Sequence, residues 1–192
     1  MSAFSEAWAL LKMPIVPGSL KRNPVADEQP NKNYAGRDNP QYSALFHDPK
    51  SKETSEMYVA LGDWGKRAFD LSPDVVGGIK HPTDPNRDTA SITLDTLRNL
   101  GYPKSEDDGI KEPWLDDYLD SYFSTGSGVD DEYRRRGQAT ALYDMVARII
   151  RDEEGQRFRP SEGLSFDAMK LWHDKTGGSH WNTASWPVRD DL

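Results

Sequence analysis

The sequence predicts an α/β (α+β) protein, a mixed and mostly antiparallel sheet flanked by helices, and three features carry that expectation. Short runs rich in β-branched and apolar residues, Met57–Leu61, Val75–Ile79 and Ala90–Leu94, are set off by turn-forming stretches and read as strands. Further on, Ala141, Leu142, Met145, Val146, Ile149 and Ile150 recur at i, i+3 and i+4 spacing, giving a helix one apolar face. Between these patterns a charged turn, Val129 to Thr140, joins a strand-like run to that helix.

Taken in order, residues 1–20 read as an amphipathic leader. Phe4, Ala7, Trp8, Leu10 and Leu11 share a helical face, and Pro14 and Pro17 stop the helix. It is either docked on the body or offered to a partner. Residues 21–55 are rich in Asn, Pro, Asp, Lys and Ser and read as a polar linker. The folded body is placed at 56–178 and a tail at 179–192. Arg67–Leu71, the turn Ser72-Pro73-Asp74 and Val75–Ile79 suggest a hairpin. The acidic residues between Glu106 and Asp120 read as a solvated face around Trp114, Leu115 and Tyr118. Tyr118–Phe123 then leads as a strand into Thr125-Gly126-Ser127-Gly128-Val129, where two glycines permit a bulge. Gln156–Ser161 reads as a short strand and Leu164–Lys175 as another helix, while Trp181, Trp186 and Pro187 suit a tail laid over apolar surface.

Composition removes several classes of chemistry. Twenty-four basic residues against 32 acidic ones, a net charge of −8, argue against sequence-independent nucleic-acid binding. With no cysteine there is no disulfide, cysteine nucleophile, thiolate metal site or acyl-enzyme thioester, so any group transfer is direct. His47, His81, His173 and His180 form no paired motif, and no metal is expected. The first residues lack the basic start and long apolar run of a secretory signal, and no stretch is long and apolar enough to span a membrane. A cytoplasmic protein without nucleic-acid or membrane partners is the expectation.

The charged turn holds the chemistry. A helix begins with unpaired N–H groups and partial positive charge, which suits a phosphate. Gly137 allows close backbone approach, Ala139 keeps the next contact small, and Arg134, Arg135 and Arg136 add charge. The plain alternative is a solvated loop before an ordinary helix.

Val129, Glu132, Tyr133, Arg134, Gly137, Ala139, Thr140, Ala141, Leu142 and Tyr143 stand at the spacing of a known motif. The segment resembles the acyl-CoA loop of the GNAT superfamily of N-acetyltransferases, with the resemblance good over about 115–178 and poor in the first half. It implies a GNAT-like core in which a splayed strand opens a slot for the pantetheine arm. It also implies acetyl-CoA held at Val129, Arg134, Arg135, Arg136, Gly137, Gln138, Ala139 and Thr140. Ser165-x-x-Ala168-x-x-Leu171-Trp172-x-x-Lys175 looks like the family's last helix, where many members carry a tyrosine cast as the acid for the departing thiolate. Trp172 occupies that position, and an indole cannot serve as that acid. Asp120, placed on the strand approaching the bulge, is a candidate base acting through water. Tyr143 is a candidate acid, and His173, beside Trp172, is either a base near the acceptor amine or a solvent-facing helix residue. The family's two helices after its first strand find no amphipathic counterpart before residue 112. The function implied is acetyl-CoA-dependent N-acetyltransfer to a primary amine, on a small molecule or a protein N-terminus or lysine, with a homodimer left open. The alternative is a catalytically weak or inactive GNAT-fold protein acting as an acyl-CoA sensor or interaction module.

Overall fold

Among the described residues seven strands lie side by side in the order in which the chain makes them: β1 Lys21–Arg22, β2 Tyr42–His47, β3 Thr54–Leu61, β4 Val75–Lys80, β5 Asp88–Thr96, β6 Tyr122–Val129 and β7 Phe158–Arg159. Every neighbouring pair is antiparallel except β6 and β7, which run parallel. The structure is a computed structural model that describes residues 14–28, 40–62, 74–97, 100, 113–161, 163–178 and 184–192. Four α-helices accompany the sheet among those residues: α1 Val25–Glu28, α2 Pro113–Asp120, α3 Gln138–Glu154 and α4 Phe166–Thr176.

A parallel neighbour requires a crossover, and α3 supplies it between β6 and β7. The apolar face read from the sequence is the face that α3 buries. Ala141, Leu142, Met145, Val146, Ile149 and Ile150 join Val59, Ile79, Ile92 and Leu94 of the strands in one core. Gly137 before the helix and Gly155 after it both have left-handed backbone, and the Gly155 N–H closes the last turn on the Arg151 carbonyl.

The strand runs Met57–Leu61 and Ala90–Leu94 fall inside β3 and β5, and Val75–Ile79 falls inside β4. β4 pairs with β3 and β5, with Met57 opposite Ile79 and Ile79 opposite Ala90. The hairpin partner expected at Arg67–Leu71 lies outside the described residues. Residues 21–55, expected to be linker, instead contribute β1, α1 and β2. β2 buries Tyr42, Ala44 and Phe46 while Ser43, Leu45 and His47 alternate outward, a period-two face paired in full with β3. Ahead of it Ile15 bridges Phe46, and the His47 N–H donates to the Pro14 carbonyl.

A second correction concerns Tyr118–Asp120, which belong to α2 rather than to a strand. Ser121 ends that helix by donating its hydroxyl to the Asp117 carbonyl and its N–H to Tyr118, and β6 starts at Tyr122. The bulge falls where the glycines suggested. Thr93 faces Gly126 and Leu94 faces Ser124, so Thr125 is the extra residue, and its hydroxyl donates to that of Thr93.

β6 and β7 pair only through Tyr122 with Phe158 and Phe123 with Arg159. Beyond these two residues, 124–129 of β6 have no strand on that side among the described residues. The Trp186 N–H donates to the Phe158 carbonyl, and the last residues return over α3, where Arg148 donates to the Arg189 carbonyl and Arg151 to Asp190. No helix among the described residues is long and apolar enough to cross a membrane.

Candidate functional site

The sheet delivers β6 to a loop that turns sharply into α3. After the 3-10 turn Asp131–Tyr133, Arg135 and Gly137 take positive φ, 59° and 83°, on either side of Arg136. Such alternation folds successive N–H groups inward around a concavity. No side chain caps the helix at Gly137, so the N–H groups of its first turn keep the polarity that attracts an anion. A Cβ on Gly137 would lie 3.5 Å from that of Pro14, so the N-terminal segment walls one side.

Three clamps hold this loop. Arg87, in the β4–β5 turn, pairs with both Asp130 and Glu132. His81 of the same turn meets the Tyr133 hydroxyl at 2.9 Å through Nε2. Its Nδ1 accepts from the Thr83 and Asp84 N–H groups, which assigns the proton to Nε2 and makes Tyr133 the acceptor. Arg136 donates to Asp48 at 2.9 Å and to the Glu132 carbonyl, and its guanidinium lies 4.8 Å from the Tyr133 ring centre. The Arg136 and Asp48 side chains are only 17% and 6% exposed. Burial alone would raise the Asp48 pKa, but the hydrogen bonds from Arg136, Lys50 N–H and Ser51 N–H, with the arginine charge, hold it below 3.8.

This arrangement changes the roles expected of the arginines. Arg136 is committed to Asp48 and to the loop carbonyl. Arg134 pairs with Asp131 at 2.9 Å, both side chains being well exposed. Arg135 is exposed and makes no ion pair with a described residue. Of the remaining residues, Val129 packs against the core, and Ala139 and Thr140 lie half-buried on the first helical turn. Gln138 is only 3% exposed, and its Oε1 has no hydrogen-bond partner. Its backbone N–H, not its side chain, belongs to the open turn.

Asp120 ends α2, beyond the start of β6, while the loop follows the end of β6. The eight-residue strand between them spans about 26 Å. Asp120 therefore closes α2 instead of lying on the strand where the sequence had suggested it.

Tyr143 lies beside that open edge. Its hydroxyl is 3.5 Å from Ser127 Oγ, and its ring meets Phe158 and Trp186 edge to face at 5.2 and 4.9 Å. Trp172 leans against the same ring at 5.9 Å. Burial pushes the Tyr143 hydroxyl up from 10.0, and hydrogen bonding from Ser127 and Trp172 opposes the shift. The Trp172 indole N–H is buried and has no hydrogen-bond partner among the described residues. His173 faces solvent beside Asp174.

Sequence reasoning passed over Asp48, His81 and Ser127. Asp48-Pro49 marks a turn, and Asp48 does cap it by accepting from Lys50 and Ser51, but nothing local announces its bond to Arg136. At the end of β6 a shallow depression of about 520 Å³ is bounded by Arg87, Val129, Asp130, Asp131 and Glu132. Among the described residues no cluster of three or more histidines and carboxylates is placed to hold a metal ion. What remains is a helix start without a side-chain cap, ringed by paired charges, next to a strand edge with no neighbouring strand among the described residues and a buried phenol. Comparison with known proteins finds no matching family model, no matching curated protein and no matching solved structure.

Proposed function

We propose that the protein is a GNAT-like N-acetyltransferase that carries acetyl groups from acetyl-CoA directly to a primary amine. One observation carries this reading. β6 and β7 run parallel, pair for two residues and then part, and the open edge of β6 leads straight into the loop with left-handed Gly137 and the uncapped start of α3. The N–H groups of Gly137, Gln138, Ala139 and Thr140 take the pyrophosphate, and Arg134 and Arg135 add charge at its rim. The edge of β6 offers backbone groups to the amides of the pantetheine arm, as an unpaired strand accepts another strand. Held there, the thioester is oriented for the amine, and strand N–H groups stabilise the oxyanion that attack creates. Acceptor amines on small molecules and on protein termini or lysines fit equally, and a cytoplasmic setting suits the substrate.

Trp172 favours a second reading, an acyl-CoA sensor that binds without transfer, because an indole N–H gives up no proton at working pH. Calorimetric titration of acetyl-CoA into the wild type and a Gly137→Glu variant tests the first step. A second variant, Thr140→Glu, places the same charge on ordinary helical backbone. Saturable binding by the wild type alone supports the cofactor site. A folded wild type without binding rejects it, and turnover with a panel of amines separates enzyme from sensor.

A further inference from the structure

Resting on the acetyl-CoA reading, we propose that His81, in the turn between β4 and β5, is a positioning residue for the pyrophosphate. Through Tyr133 and Arg136 it holds the loop ahead of α3 in the shape that turns its N–H groups toward an anion. His81 stands 52 residues before Tyr133, outside the segment whose spacing suggested the site.

The loop does not keep that shape by itself. Arg135 carries a side chain at φ 59°, left-handed backbone that non-glycine residues seldom keep unless their surroundings impose it. No side chain caps Gly137, and the 3-10 turn ahead of it is three residues long. The ion pairs of Arg87 with Asp130 and Glu132, and of Arg134 with Asp131, are all well exposed, where water and salt weaken them.

Tyr133 is anchored more deeply. It ends the 3-10 turn directly before Arg134 and is only 9% exposed. Its hydroxyl meets His81 Nε2 at 2.9 Å, the two rings stand edge to face at 5.7 Å, and the Arg136 guanidinium lies 4.8 Å from its ring centre. His81 is in turn fixed by its own hairpin. Its backbone N–H donates to the Arg87 carbonyl, and Nδ1 accepts from the N–H groups of Thr83 and Asp84, which leaves the Nε2 proton for Tyr133. Arg136 carries the row on to Asp48 in the β2–β3 turn. Tyr133 and Arg136 bracket Arg134 and Arg135, so fixing the two ends fixes the left-handed turn between them. A loop already in its binding shape has less order to gain when the ligand arrives. Loss of the His81 bond therefore weakens the hold on the pyrophosphate without removing any group that touches it.

Two variants break the same bond from opposite ends. His81→Asn places an amide oxygen where Nδ1 sits, so the turn keeps its acceptor for Thr83 and Asp84, but the side chain is too short to reach Tyr133. Tyr133→Phe removes the hydroxyl and keeps the ring against Arg136. Tyr42→Phe is the control, since it removes a tyrosine hydroxyl bonded to Glu153, near the other end of α3. In calorimetric titration with acetyl-CoA, His81→Asn and Tyr133→Phe each bind about five-fold more weakly than the wild type, the scale of one lost hydrogen bond. The double variant binds about as weakly as either alone, and Tyr42→Phe binds like the wild type. Variants that keep wild-type affinity overturn the proposal, as do losses that multiply in the double variant, because the two side chains then act separately. Equal weakening by Tyr42→Phe also overturns it, since general destabilisation then accounts for the effect. In each of these cases the acetyl-CoA reading still stands on saturable binding by the wild type. A folded wild type that does not bind acetyl-CoA refutes that reading, and this inference with it.

Discussion

Arg136 reaches across 88 residues of sequence to donate to Asp48 at 2.9 Å. The bond fastens the loop ahead of α3 to the turn between β2 and β3, two pieces of chain that share no local pattern. It also alters the electrostatics of the loop. Arg87, Arg134 and Arg136 each face a carboxylate among Asp48, Asp130, Asp131 and Glu132, and only Arg135 lacks such a partner among the described residues. The proposed anion site accordingly rests on directional N–H groups more than on bulk positive charge.

Asp48→Asn removes the charge that balances a mostly buried guanidinium. The variant is expected to lose about 2 kcal/mol at neutral pH, read from the urea unfolding midpoint. The Asp48 pKa is lower in the folded protein than its ordinary 3.8, so its contribution is complete above that value and is lost as the pH falls through the lower folded one. Wild type and variant should therefore converge in strong acid, and a gap that persists there would refute the assignment.

Asp144 is 1% exposed and accepts the Trp186 indole N–H at 2.8 Å, with Arg189 at 3.4 Å on its other oxygen. Asp144→Ala leaves a buried indole N–H without its acceptor and takes one carboxylate from Arg189, which keeps Asp191, an expected loss of about 3 kcal/mol. Asp144→Asn keeps an oxygen for the indole and should lose about half as much. Equal losses in thermal or urea unfolding would show that the indole bond contributes nothing.

Gly78 sits opposite Tyr58 on β3, and a Cβ there would come within 2.8 Å of the ring and its hydroxyl. That ring is buried and held by a 2.7 Å bond to Asp88, so it has little room to yield. Gly78→Ala should destabilise by about 2 kcal/mol through overpacking. Gly128, also in a strand, has nothing within 4 Å of the same added atom. Gly128→Ala should leave the melting temperature nearly unchanged, and the contrast between the two variants is the measurement.

Tyr42 is pushed up from 10.0 to about 12, first by burial and then by its hydrogen bond to Glu153. Its proton is held more tightly in the folded protein, so this contribution is fully present below pH 10 and is lost as the pH rises toward 12. The ultraviolet difference titration between wild type and Tyr42→Phe should show one phenol ionising near pH 12. A transition near pH 10 would place Tyr42 in contact with water.

The loop and α3 were legible because their signals are local. A left-handed glycine before an apolar stripe at helical spacing specifies itself within twenty residues. Three strands were visible for the same reason, and the bulge at Thr125 falls beside Gly126, one of the two glycines that suggested it. β2 was missed although Tyr42, Ala44 and Phe46 alternate cleanly, because a polar, proline-rich surround dominated the composition of the stretch. Asp120 was misplaced because Tyr118-Leu119-Asp120 suits a helix end and a strand start alike, and Ser121 decides by closing on the Asp117 carbonyl. The partners of Arg136, Tyr133 and Tyr143 are set by the sheet, which brings together segments that are far apart along the chain.

Because the strands stand in space in the order of synthesis, the growing chain meets a ready template at almost every step. Each strand from β2 to β6 pairs against a neighbour already made, by antiparallel contacts of modest loop length. β7 is different, since it must wait for the whole of α3 to emerge before it can lie parallel to β6. The edge beside Ser127 is therefore the last part of the sheet to be framed during translation, and it takes its final shape only when Trp172 and Trp186 arrive to pack around Tyr143.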